Sequence, residues 1–176
     1  MKHNSFAKSQ SSSSQDPLPE PIAARPDVAG LPCIHKILVA LDFSASSARA
    51  IGYAVVFART FNAKLVFLHV VEPAVYPGND SIASCTADEA NQNLIAASHE
   101  RLLRMKQQGQ MKGVPVELLV RMGRAYSEIP DTARATDTDL IIMGTQGRGD
   151  AKHLMAGSTA ERVVRQASCP VLIVSP

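Results

Sequence analysis

Leu140-Ile-Ile-Met-Gly144-Thr-Gln-Gly147, nine further residues, then Gly157-Ser158-Thr159: an apolar run empties into a glycine-rich loop. The loop closes on two hydroxyl residues suited to the start of a helix. A second apolar run, Val171-Leu-Ile-Val174, follows. Strand, loop, helix and strand in that order form a unit of parallel sheet. Glycine lets a backbone approach an anion closely, because no Cβ stands in the way. Loop amides and the amides of a helix N-terminus then point at the negative charge. The stretch therefore predicts a phosphate-binding loop, set against the plainer reading of a flexible glycine linker.

Working outward, the same alternation covers the rest of the chain. Ile37-Leu-Val-Ala-Leu41 is continuously apolar, as expected of a strand covered on both faces. Ser44 to Ala63 reads as a helix capped by Ser44, with Ala48, Ile51, Val55 and Ala58 at helical spacing. Leu65–Val71 is a second strand, and Pro77-Gly78 marks a loop. A long helix is expected from about Ala87 to Gln108, with Leu94, Ser98, Arg101 or Leu102, and Met105 along its stripe and Gly109 or Gly113 ending it. Val116–Arg121 alternates as a third strand. Ala125 to about Thr136 is helical in pattern but contains Pro130. Proline deep in a helix costs about 3 kcal/mol, so a late start or a kink is predicted there. The expected fold is α/β: a single Rossmann-like domain, with a five-stranded parallel sheet and helices on both faces.

Residues 1–30 differ. A serine run at Ser11–Ser14 and four prolines between Pro17 and Pro26 leave little apolar surface to bury. That segment is expected to be a disordered tail, dispensable for ligand binding, with residues 31–176 as the folded domain. A targeting peptide is the competing reading, against which stand Asp16, Glu20 and Asp27.

Composition narrows the function. A net charge of +2 gives no case for nucleic acid or an anionic membrane. With no tryptophan, a base-stacking platform is not expected. The three cysteines, Cys33, Cys85 and Cys169, lack metal-ligand spacing and suit a reducing, cytoplasmic setting. No apolar run approaches the roughly 20 residues that span a bilayer, and there is no apolar leader.

Asp42 follows the first strand, at the end where open α/β sheets bind ligands, but equally suits a helix cap; position alone does not choose. His69 lies mid-strand, as a core histidine or a base. Arg148 faces phosphate or water, while Lys152 and His153 read as solvated loop residues. Walker A fails because Asp150 stands where lysine belongs after Gly144-x4-Gly149. The dinucleotide fingerprint fails because Lys152 replaces its third glycine.

The loop carries G-x2-G-x9-G-(S/T), and in this the chain resembles the ATP-binding branch of the universal stress proteins. Lys36-Ile-Leu-Val-Ala-Leu-Asp42-Phe-Ser44 looks like that family's first strand and acidic turn. Leu65–Val70, Asp139–Gly144 and Ser168–Val174 look like its second, fourth and fifth strands, so that His35 to Ser175 is covered in order. The resemblance implies ATP as ligand, with or without Mg. It implies contact from Asp42 to ribose or the metal–phosphate region, and a purine pocket lined by Ala40 and Val70, with Met143 beside them. It implies a phosphate loop of Gly144, Gly147, Arg148, Gly157, Ser158 and Thr159. It also implies a homodimer through Val171–Val174 and a nucleotide-responsive stress module, with room for an unidentified protein partner. No nucleophile, base and orienting group stand together in the sequence, so no catalytic residue is assigned, and no protein metal site is expected. Two other readings stay open: a slow ATPase or phosphotransfer protein, and a chaperone-like protein without nucleotide. Valine at Gly144 or Gly157 is expected to lower ATP affinity at least tenfold, about 1.4 kcal/mol, with the fold intact.

Overall fold

The computed structural model describes residues 33–73, 84–145 and 158–175, excluding side chains at 84–87. The Ser/Pro-rich segment, the Pro77-Gly78 turn and the loop positions Gly147, Arg148, Lys152, His153 and Gly157 lie outside the described residues. The chain runs β1 (Lys36–Ala40), α1 (Ala45–Phe61), β2 (Lys64–Val71) and α2 (Ser84–Lys106). After a 3-10 turn at Gly109–Met111 come β3 (Val116–Met122), α3 (Ala125–Ala135), β4 (Leu140–Gly144), α4 (Ser158–Gln166) and β5 (Val171–Val174). The strands form one five-stranded sheet in the order β3-β2-β1-β4-β5, and every pairing is parallel.

The strand sequences explain the layering. Alternate residues of β1 point to opposite faces, and both faces are apolar. Ile37 and Val39 join Phe67, Ile142 and the α1 residues Ile51 and Val55 in one core. Leu38 and Ala40 join Leu68, Ile141, Ile129 of α3 and Val163 of α4 in the other. The chain builds outward from β1 through β2 to β3, then returns to place β4 on the other side of β1. The β1–β4 gap is thus the topological switch point, where open α/β sheets form a crevice at the carboxyl ends of their strands.

Three local expectations change. Ala48 is exposed, and the buried stripe of α1 runs through Ser47, Ala50, Ile51, Ala54, Val55 and Ala58. In α2, Leu94 is 44% exposed, and Asn91, Ile95, Ser98, Leu102 and Met105 form the inward face. Finally, α3 is continuous from Ala125, with Pro130 inside it. The missing amide sacrifices the bond to the Tyr126 carbonyl. Burial of Ile129, Pro130 and Ala133 offsets that loss, since tertiary packing supplies most helix stability.

Candidate functional site

The tip of β1 turns sharply into α1. Ser44 is the N-cap of α1, and its hydroxyl accepts from the Ser47 amide at 3.2 Å. The helix-cap role is therefore filled by Ser44, leaving Asp42 with another task. One carboxylate oxygen, Asp42 Oδ1, accepts from the Ser44 amide at 3.0 Å and the Ser44 hydroxyl at 2.6 Å. Burial raises the Asp42 carboxyl, but these Ser44 bonds, with help from Ser47, outweigh it and hold the group below its ordinary value. Asp42 is thus ionised at neutral pH.

Its other oxygen, Oδ2, is buried and has no hydrogen-bond partner. Thr145 Oγ1 shares that condition. The two residues are neighbours in the sheet pattern: Ala40 pairs with Met143, and Asp42 and Thr145 each lie two residues further along their strands. Thr145 is fixed by its amide, which donates to the Val174 carbonyl at 2.9 Å. An unsatisfied buried polar group costs about 1–3 kcal/mol. Two such oxygens lie at the tips of adjacent strands, at the switch point, with hydrogen-bonding capacity that a polar ligand could fill. Thr145 was missed in the sequence, where a threonine between glycines reads as loop.

Phe43 closes the turn with φ 64°, a left-handed conformation rare for an aromatic residue. Its ring packs on His69, with centroids 4.3 Å apart, and the Arg101 guanidinium lies 4.1 Å from the Phe43 centroid. His69 is half-buried, and its Nδ1–H donates to the Leu41 carbonyl at 2.6 Å. It thereby ties β2 to the base of the Asp42 turn.

Gly144 has a packing role of its own. A Cβ there would lie 2.6 Å from Ser46 Oγ, 2.9 Å from Ser46 Cβ and 3.0 Å from the Ser46 backbone carbon. The close approach that glycine permits is between β4 and α1, so substitution at Gly144 is not expected to leave the fold intact.

Of the remaining candidates, Ala40 and Met143 are buried in the second core and Val70 packs against it. Ser158 and Thr159 open α4. The structure thus gathers Ala40, Asp42, Met143, Gly144 and Thr145 at the β1–β4 tips. His35 lies at the opposite end of β1, where its amide donates to Asp139 Oδ2 at 2.8 Å, away from these tips. Among the described residues no cluster of His, Cys, Asp and Glu could hold a metal ion, and no helix is long and apolar enough to cross a membrane.

Residues 34–175 match the model of the universal stress protein family. The chain belongs to that family. Universal stress protein YxiE of Bacillus subtilis is 32% identical over 145 residues, covering 80% of this chain and 98% of YxiE. The structure of UspA from Lactobacillus plantarum superposes with a TM-score of 0.70 at 26% identity, over 81% of this chain and 98% of that one. A universal stress protein solved in complex with cAMP shares the fold, with a TM-score of 0.55 at 21% identity over 81% of this chain and 98% of its own.

Proposed function

We propose that this universal stress protein binds a nucleotide, ATP first among them, and serves as a nucleotide-responsive module of the stress response. The observation that carries the reading is the pair of unpartnered buried oxygens, Asp42 Oδ2 and Thr145 Oγ1, at the switch point. A carboxylate oxygen accepts and a threonine hydroxyl both donates and accepts. Together they suit a ribose hydroxyl, whose own donor and acceptor they match. The glycine pattern that follows β4, Gly144-x2-Gly147-x9-Gly157-Ser158, fits a phosphate-binding loop by its sequence. Ala40, Val70 and Met143 give an apolar wall for a purine. The cAMP complex of a protein with this fold supports the same ligand class. If Mg accompanies the phosphates, Asp42 and Thr145 are oxygen donors of the type it takes. The intact glycine signature favours this reading over a chaperone-like protein without nucleotide, and phosphate release from bound ATP separates a passive binder from a slow ATPase. We also propose a homodimer through β5.

Calorimetric titration with ATP tests the site. Asp42→Asn retains an acceptor for Ser44 but replaces the other oxygen by a donor, and affinity should fall at least tenfold, about 1.4 kcal/mol. Thr145→Val should move two readouts in opposite directions. It removes an unsatisfied buried hydroxyl, so the free protein should melt no lower than wild type. The rise in melting temperature on adding ATP should shrink. If both variants bind ATP like wild type, the pair is not part of the site.

A further inference from the structure

Phe43 holds a conformation that its side chain disfavours. Its φ of 64° is left-handed, which crowds the Cβ of an L-residue against the following carbonyl. Glycine takes that conformation freely, yet an aromatic residue stands here. Such a conformation persists only where the surroundings over-determine it.

Those surroundings come from β2 and α2. Leu41, two residues earlier, is tied to β2 through both of its backbone groups. Its amide donates to the Leu68 carbonyl at 2.8 Å, and its carbonyl accepts from His69 Nδ1–H at 2.6 Å. The same imidazole packs on the Phe43 ring, with centroids 4.3 Å apart. From α2, the Arg101 guanidinium lies 4.1 Å from the Phe43 centroid, a cation–π contact. Phe43 also packs against the first core.

The consequence falls on Asp42. Its Oδ1 accepts from the amide of Ser44, two residues on, at 3.0 Å, and from the Ser44 hydroxyl at 2.6 Å. Phe43 is the central residue of that turn, so its backbone angles decide whether Ser44 reaches the carboxylate. While the turn holds, both Ser44 bonds fall on Oδ1. Oδ2 then stays without a hydrogen-bond partner among the described residues.

We propose that Phe43 is a positioning residue for the nucleotide site: its ring, gripped by His69 and Arg101, holds the turn that presents Asp42 Oδ2 to the ligand. The inference rests on the nucleotide reading of the Asp42–Thr145 site. It adds that α2 bears on ligand affinity, through Arg101.

Two readouts on the same variants test this: ATP affinity by calorimetry, and the carboxyl titration of Asp42 in the free protein by carbon NMR. Burial raises the Asp42 carboxyl, and the Ser44 bonds outweigh it. A loosened turn weakens those bonds, so Asp42 should titrate higher. Phe43→Ala changes no charge, loses the ring and keeps the left-handed strain, so ATP affinity should fall about tenfold. Phe43→Gly loses the same ring but takes the conformation freely, so the loss should be only about threefold, with a smaller rise at Asp42. Arg101 is exposed, so Arg101→Ala tests the grip even if the Phe43 variants fail in thermal melts. It should move both readouts in the same direction as Phe43→Ala, and Arg101→Lys should recover part of the change. A ring that serves packing alone makes glycine no better than alanine and leaves Asp42 titrating as in wild type. That result overturns the positioning role. So does a loss of affinity without a change at Asp42, or a change at Asp42 without a loss of affinity. In these cases wild type still binds ATP and the nucleotide reading stands. Wild-type protein that binds no nucleotide overturns both.

Discussion

Valine at Gly144 should destabilise the whole domain, and alanine there should already do so. The Cβ of either residue falls 2.6 Å from Ser46 Oγ and 3.0 Å from a Ser46 backbone atom. The hydroxyl can rotate away, but the backbone of α1 cannot move without disturbing the core. Ser46 is itself buried, and α1 supplies Ala50, Ile51, Ala54 and Val55 to the first core. Overpacking of this kind typically costs about 1–3 kcal/mol, and the branched valine should exceed alanine. For a domain of this size each kcal/mol lowers the melting temperature by roughly 3 °C. Calorimetric melts of Gly144→Ala and Gly144→Val without ligand give the answer, and a melting temperature equal to wild type would refute the packing role. Gly157→Val is the informative contrast. If Gly157 serves the phosphate loop, that variant should melt like wild type and lose at least tenfold in ATP affinity, about 1.4 kcal/mol.

That contrast shows where sequence patterns carry information and where they stop. The parallel sheet was legible because β1 and β4 are unbroken apolar runs, a pattern imposed by burial on both faces. The Ser44 cap was legible because capping is local. The faces of α1 and α2 were less so. Ala48 is small enough to sit on either side of a helix, and at Leu94-Ile95 two adjacent apolar residues compete for one inward position. Propensity suggested that α3 would start late or kink at Pro130; the helix starts at Ala125, and burial of Ile129, Pro130 and Ala133 offsets the local cost of the proline. At the site, Asp42 was visible by position. The unpartnered state of its Oδ2, and the parallel state of Thr145 Oγ1, emerge only when two strands distant in sequence lie side by side. Gly144 likewise showed its freedom from a side chain, but not that α1 fills the space.

A single proline at Ile173 should convert the proposed dimer to monomer. In a parallel ladder each residue directs both its amide and its carbonyl to one side, and successive residues alternate. The carbonyls of Pro170 and Val174 accept from Ile141 and Thr145, at 3.0 and 2.9 Å. Alternation then leaves the backbone groups of Val171 and Ile173 on the outer edge, where the described residues provide no further strand. An uncovered apolar edge invites pairing, and pairing with its own copy about a two-fold axis satisfies both edges. The side chains cannot be used to test this. Val174 is only 5% exposed in the first core, and Leu172 packs against that core, so lysine at either place would damage the monomer. Proline at 173 removes one outward amide and leaves the bonds from β5 to β4 in place, a substitution that edge strands tolerate. Light scattering at micromolar concentration should show a wild-type dimer and an Ile173→Pro monomer with nearly unchanged circular dichroism. A wild-type monomer, or a dimer that survives the proline, would place the interface elsewhere.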